Sequence, residues 1–314
     1  MKRREFFAAA TAAVGAVATA STAQAQIIRN RRNAPANQAA NAQDARPVRV
    51  LHFTRSQGFE HSPARRLEDG TTVSGRGLTS YFADKNVELF ETQDGTIFDG
   101  DLSGFDAFIF YTSGNLLDPA GSKNDSARAM TLAGFQNLLA AVRGGKGFVG
   151  IHSATDTHIG NAMRADDGTD LYTRFVGARF TSHGPDQYGT LTIVQPTAFP
   201  HLRESGQRIT TWDEWYAMGQ FNSDMHVILI QETAGMFPDR DYARPPFPMT
   251  WIRREGEGRV AYTSFGHLDS YFRNMENVRR IGELVEWSVG RFNADTTPNI
   301  NAVTPGYAQM PPRR

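Results

Sequence analysis

The chain has 314 residues, no cysteine, and 33 basic against 33 acidic side chains. That composition excludes thiol catalysis, disulfides and cysteine metal sites. Its neutrality gives no electrostatic reason to expect nucleic acid or a membrane surface as partner.

The first residues read as an export signal, not as part of a fold. Lys2-Arg3-Arg4-Glu5 is a charged start with paired arginines, residues 8–20 are small and apolar, and Ala23-Gln24-Ala25 is a small-residue cleavage pattern. The pattern predicts a twin-arginine-type signal over residues 1–25, cleaved after Ala25. It also predicts a periplasmic or secreted protein with no membrane insertion after cleavage. Cleavage removes three cations and one anion from a neutral chain and leaves a net charge of −2. Residues 26–46 are rich in Asn, Ala, Gln and Arg without periodicity and read as a flexible linker.

A domain follows over residues 47–292. Val48-Arg49-Val50-Leu51-His52-Phe53 reads as its first strand, Val87-Glu88-Leu89-Phe90 as a second, and Ala107-Phe108-Ile109-Phe110-Tyr111 as a third. Helical spacing of Leu132, Phe135, Leu138, Leu139 and Val142 predicts an amphipathic helix, ended by Gly144-Gly145. Phe148-Val149-Gly150-Ile151 is then a short buried strand, expected at the centre of a parallel sheet. Strands alternating with helices make an α/β sandwich with right-handed crossovers the economical topology. The second half predicts strands over 190–194 and 227–230, a hairpin from 249–253 and 259–263 about Glu255-Gly256-Glu257-Gly258, and a closing helix through Val278, Ile281, Leu284, Val285 and Val289. Residues 293–314 hold four prolines and little apolar content and read as an extended tail.

Ligands of open α/β sheets bind beyond the carboxyl ends of the strands, and that rule sorts the eight histidines. His52 lies inside a strand and reads as core; His201 and His226 read as solvated. His61, His152, His183 and His267 each follow a predicted strand or an apolar run, and each sits at a turn; His158, close behind His152 in a mobile loop, reads as a spectator. Asp213-Glu214-Trp215-Tyr216 sets two carboxylates beside two aromatics, a combination suited to a sugar, whose C–H faces stack while its hydroxyls need acceptors. No H-E-x-x-H or His-x-His pair occurs, so a metal site has to assemble from distant segments. Imidazoles with one carboxylate suit a divalent ion, zinc first, with His61, His152, His183 and His267 as candidate ligands. The candidate catalytic groups are His152, Glu214 and His183. The candidate substrate contacts are His61, Ser153, Asp213, Trp215, Tyr216 and His267. No nucleotide cofactor is expected.

Five segments, in this order, resemble the ThuA-like (trehalose-utilisation) family of the class I glutamine-amidotransferase-like superfamily: Gly58-Phe59-Glu60-His61, the run from Gly145 to Ala154, Ser182-His183, Asp213-Glu214-Trp215-Tyr216, and Gly256-Glu257-Gly258-Arg259-Val260 leading to Gly266-His267. The resemblance spans about residues 48–290. It implies a flavodoxin-like, three-layer α/β sandwich with a mainly parallel central sheet. It also implies carbohydrate metabolism around trehalose and related glucosides, including 3-keto-sugars. Where class I amidotransferases place a nucleophilic cysteine, this chain has His152, and an imidazole forms no stable glutamyl thioester. Ser153 lacks the flanking glycines of a G-x-S-x-G elbow. Glutamine and serine-hydrolase chemistry are therefore not expected. Cleavage or isomerisation of an oxidised sugar is the first reading, with a small carbohydrate as partner; a non-catalytic periplasmic sugar-binding protein is the alternative.

Overall fold

The computed structural model describes residues 46–120 and 127–311. The signal reading for residues 1–25 and, apart from Arg46, the linker reading for 26–46 lie outside the described residues.

Among the described residues thirteen strands form, in chain order: β1 (Val48–Phe53), β2 (Val87–Thr92), β3 (Ala107–Phe110), β4 (Gly114–Asn115), β5 (Gly147–Ile151), β6 (Thr157–His158), β7 (Arg179–His183), β8 (Gln187–Ile193), β9 (Arg208–Asp213), β10 (Tyr216–Gly219), β11 (His226–Gln231), β12 (Phe247–Glu255) and β13 (Gly258–Thr263). Nine of them make one sheet in the order β2-β1-β3-β5-β13-β12-β11-β8-β9. The half from β2 to β13 is parallel, and β12, β11, β8 and β9 extend it with antiparallel pairings. The α/β sandwich with a parallel core is as expected, but the whole sheet is mixed. The hairpin at Glu255-Gly256-Glu257-Gly258 is where its direction changes.

Strand periodicity explains the layers. In β1, Val50 faces one core while Leu51 and Phe53 face the other; in β3, Ala107 and Ile109 oppose Phe108 and Phe110. Helices α1 (Val73–Phe82) and α4 (Met275–Ser288) cover the first face through Leu78, Val278 and Ile281. Helices α2 (Leu132–Arg143) and α3 (Leu171–Val176) cover the second through Phe135, Leu138 and Phe175. Thr131 caps α2 by accepting the Gly134 N–H, and Gly145, at φ +113°, turns the chain out of it.

The segment 293–314 departs from the tail reading. A short helix, Ile300–Val303, puts Ile300 fully inside the second core, and the Asn299 side chain bonds both the N–H and the C=O of Val227 on β11. One apolar residue and one amide fix this segment, too little to register in its composition. His201 also departs from expectation: it is buried in a short helix, with its N–H donated to Glu283.

Candidate metal and catalytic centre

The centre lies at the carboxyl ends of the parallel strands. His61 follows β1, His152 follows β5, His267 follows β13, and Glu214 follows β9 as the chain leaves the large sheet. Nitrogen and oxygen atoms of these four side chains lie within 4.8 Å of one another.

His152 occupies the turn into a 3-10 segment, His152–Asp156, with φ +46°. A β-carbon disfavours that conformation by about 1–3 kcal/mol, so the surroundings must hold it. They do: the Tyr262 hydroxyl donates to the His152 carbonyl at 2.7 Å, and His152 Nδ1 lies 2.7 Å from the Ser264 carbonyl. A carbonyl can only accept, so Nδ1 carries a proton and Nε2 of the neutral ring is a lone pair. That lone pair sits 3.3 Å from Glu214 Oε2 and has no hydrogen-bond partner among the described residues. Two acceptors at this distance require a cation between them, a proton or a metal ion.

Glu214 draws two further imidazoles. His267 Nδ1 is 3.2 Å from Oε2, and His183 Nδ1 is 3.0 Å from Oε1. Burial pushes the Glu214 carboxyl up, but contacts from His152 and His267 outweigh it and hold the group well below the usual carboxylate range. The same pairing raises His267 against the opposing effect of burial, with Asp186 4.0 Å from its Nε2. Burial, with His152 and His267 adding to it, pushes His61 down to about 2, so its ring is neutral. The Tyr216 hydroxyl lies 3.3 Å from His61 Nε2.

The donor set suits a divalent ion. One ionised carboxylate and three imidazoles are a common zinc or manganese environment, and the buried nitrogens His152 Nε2 and His267 Nδ1 lack hydrogen bonds among the described residues. Bonds of about 2.0–2.2 Å place ligand atoms about 3–4 Å apart, close to the spacing here. His183 stands apart from this set. Its side chain is 44% exposed, and its Nδ1 donates to the Gly184 carbonyl at 2.8 Å, so in the neutral tautomer the lone pair is on Nε2.

The sequence profile of the family ThuA, described as trehalose utilisation, matches residues 49–288. The chain belongs to the ThuA family. A putative ThuA-like protein of Bacteroides uniformis is similar to it in structure, with TM-score 0.55 at 17% identity over 81% of this chain and 96% of that one. Another, from Parabacteroides merdae, gives TM-score 0.54 at 14% identity over 86% and 98%. Comparison with curated proteins finds no significant match.

Within this ThuA domain the expected residues separate by role. His61, His152, Glu214 and His267 converge as a set; His183 touches it only through Glu214 Oε1. Glu214 therefore takes the place among the ligands that the sequence reading gave to His183. Asp213 faces the opposite way and is fully buried, accepting N–H groups from Gly266 and His267 at 2.9 and 3.2 Å. It is a positioning group for the His267 turn, not a substrate contact. Trp215 has no exposed face: its indole N–H donates to the Gln187 carbonyl, and its ring closes against Gly189. Tyr216 is 2% exposed and meets His61, not solvent. Ser153 is buried behind His152, and no hydrogen bond among the described residues joins its hydroxyl to the centre.

The aromatics that reach solvent near the centre are different ones. Phe59 is 64% exposed with its ring 4.9 Å from that of His61, and Phe237 is 67% exposed with its backbone packed over Gly184. Gly58-Phe59-Glu60-His61 carried the first signal; Phe237-Pro238, a surface pair distant in sequence, carried none. Tyr111 and Ser264 act through a hydroxyl and a carbonyl that only the fold brings into place.

Proposed function

We propose that this ThuA protein cleaves an oxidised glucoside by proton abstraction next to a keto group, and that it does so after export. The observation that supports the reading best is the convergence of His152, His183 and His267 on the single carboxylate of Glu214, with the His183 ring half exposed at the edge of the set. A 3-keto group acidifies the neighbouring C–H bond, and the glycosidic oxygen stands one carbon further on. His183 Nε2 accepts the proton from that carbon; the electron pair forms the ring C=C bond as the glycosidic C–O bond breaks, and the leaving alcohol takes up a proton. His183 Nδ1, donating to the Gly184 carbonyl beside Glu214 Oε1, holds the ring in the tautomer this step needs. A divalent ion held by His61, His152, Glu214 and His267 supplies Lewis-acid polarisation of the keto oxygen when bound. Phe59 and Phe237 offer the sugar's C–H faces an apolar rim.

Metal content by mass spectrometry, followed by turnover of 3-keto-glucosides, tests the reading. Near-stoichiometric metal in the wild-type protein, with metal and turnover both lost in Glu214→Gln, supports it. Sugar binding without turnover in the metal-loaded wild type points instead to a binding protein. Mature chains beginning at Gln26 would establish the signal cleavage that Arg3-Arg4 and Ala23-Gln24-Ala25 suggest.

A further inference from the structure

A second cleft of about 440 Å³, within the size range of small-molecule pockets, opens where β6, β7 and the end of β10 meet. His158, Asn161, Arg164, Thr169, Arg179 and Gln220 are among its lining residues. It is separate from the histidine centre. Arg179 and His183 lie at opposite ends of β7, paired with Gly219 and Tyr216 of β10, and four strand residues span about 13 Å.

Its charge is unbalanced. The Arg179 guanidinium makes no hydrogen bond or ion pair among the described residues; it acts on Asp156 and His158 only across space. Arg164 donates to the Gly168 carbonyl and to Asn161 Oδ1, both neutral acceptors. The two acids that line the cleft are already engaged. Asp167 pairs with Arg174 at 3.0 Å and accepts the Thr169 N–H, and Asp170 accepts the N–H groups of Ile159, Tyr172 and Thr173. His158 is neutral, held down by burial and by Arg179, and its Nδ1 accepts the Gly160 N–H, so its proton is on Nε2. Gln220, at the rim, holds φ +51°, a conformation non-glycine residues adopt only where their surroundings impose it. The cleft is thus lined by donors, its two lining carboxylates are already taken, and Asp156, outside the lining, meets Arg179 only across space.

We infer that this cleft binds a small organic anion, a sugar phosphate or sugar acid, through the guanidinium groups of Arg164 and Arg179. It is a site distinct from the reaction centre and does not depend on the reaction proposed there. Phosphate and carboxylate share the chemistry that two guanidinium groups recognise.

Isothermal titration of the mature protein with inorganic phosphate and, separately, with gluconate tests it, using wild type, Arg179→Gln, Arg164→Gln and His152→Ala. The expected result is saturable one-to-one binding of at least one probe, weakened tenfold or more in both arginine variants and unchanged in His152→Ala. Tighter phosphate binding identifies a phosphorylated ligand, and tighter gluconate binding a sugar acid. Neither arginine is in a core, and unchanged unfolding midpoints in both variants establish that a loss is local. Absence of saturable binding up to about 10 mM of either probe, binding undiminished in both arginine variants, or binding lost in His152→Ala would overturn the inference.

Discussion

His52 on β1 and His152 at the end of β5 are both fully buried, and each faces a carboxylate: Glu91 Oε2 at 3.6 Å for the first, Glu214 Oε2 at 3.3 Å for the second. The difference lies in what else each carboxylate serves. Glu91 Oε2 accepts the Thr72 N–H at 3.0 Å and the Thr72 hydroxyl at 2.6 Å, tying β2 to the start of α1, and it meets one imidazole. Glu214 receives three imidazoles, those of His152, His183 and His267. A buried histidine beside an acid is therefore ordinary structural material. Convergence of several on one carboxylate is what makes a cation site, because ring nitrogens and carboxylate oxygens crowded together need a proton or a metal ion between them.

Replacement of the two histidines breaks this comparison most directly. His152→Ala should remove bound metal and lower turnover of a keto-glucoside by about 10³-fold or more, the scale of losing an electrostatic stabiliser. His52→Ala should retain both and lower stability by about 1–3 kcal/mol, as core truncations do. Equal effects on metal content from the two substitutions would erase the distinction. His183→Gln sharpens it next: metal should stay while kcat falls about 10²–10⁴-fold, the range for loss of a general base. Metal lost along with His183 would instead make it a ligand.

A smaller effect is expected one turn away. Gly266 has φ +114°, its N–H is held by Asp213 and its carbonyl by the Tyr111 hydroxyl, and a β-carbon there would lie 3.1 Å from the Phe272 ring. Gly266→Ala should shift His267 and weaken metal affinity about 10–100-fold, as loss of supporting contacts does. Competition with a chelator reads that change directly. Unaltered affinity would show that the His267 turn tolerates strain without moving its imidazole.

The order of strands and helices was legible because alternation in Val48–Phe53 and Ala107–Phe110, and the helical stripe from Leu132 to Val142, encode burial locally. Position after a strand end also selected His61, His152 and His267, since the strand rule needs no partner. Roles within Asp213-Glu214-Trp215-Tyr216 were not legible. Both acids and both aromatics are compatible with a sugar site, and only the turn between β9 and β10 decides that Glu214 faces the imidazoles while Trp215 enters the core. The Arg179 cleft left no local trace either, because its donors come from three separated segments and its acids are taken by backbone N–H groups and by Arg174.

The smallest effect concerns Glu91 and carries a pH signature. Burial pushes its carboxyl up, but contacts from His52 and Thr72 outweigh that and hold it below the ordinary value of 4.5. A depressed carboxyl contributes stability above its unfolded value and loses it as the pH falls through the folded one. Its side chain also sits in a notch left by Gly75, where a β-carbon would lie 2.2 Å from it, so this charge holds from a fixed place the Thr72 cap, whose hydroxyl accepts the Gly75 N–H of α1. Glu91→Gln should therefore cost about 1–2 kcal/mol in urea unfolding at pH 7, the worth of hydrogen bonds to a charged acceptor. The gap should narrow progressively below pH 4.5, as the wild-type side chain becomes neutral too. A gap that stays constant down to acid pH would mean that shape and not charge holds this corner. Turnover in Glu91→Gln should remain within about twofold of wild type at neutral pH, a surface-scale change. A larger loss would tie the β1–β2 edge to the chemistry beyond β5, and the contrast between the two buried histidines would fail from its structural side.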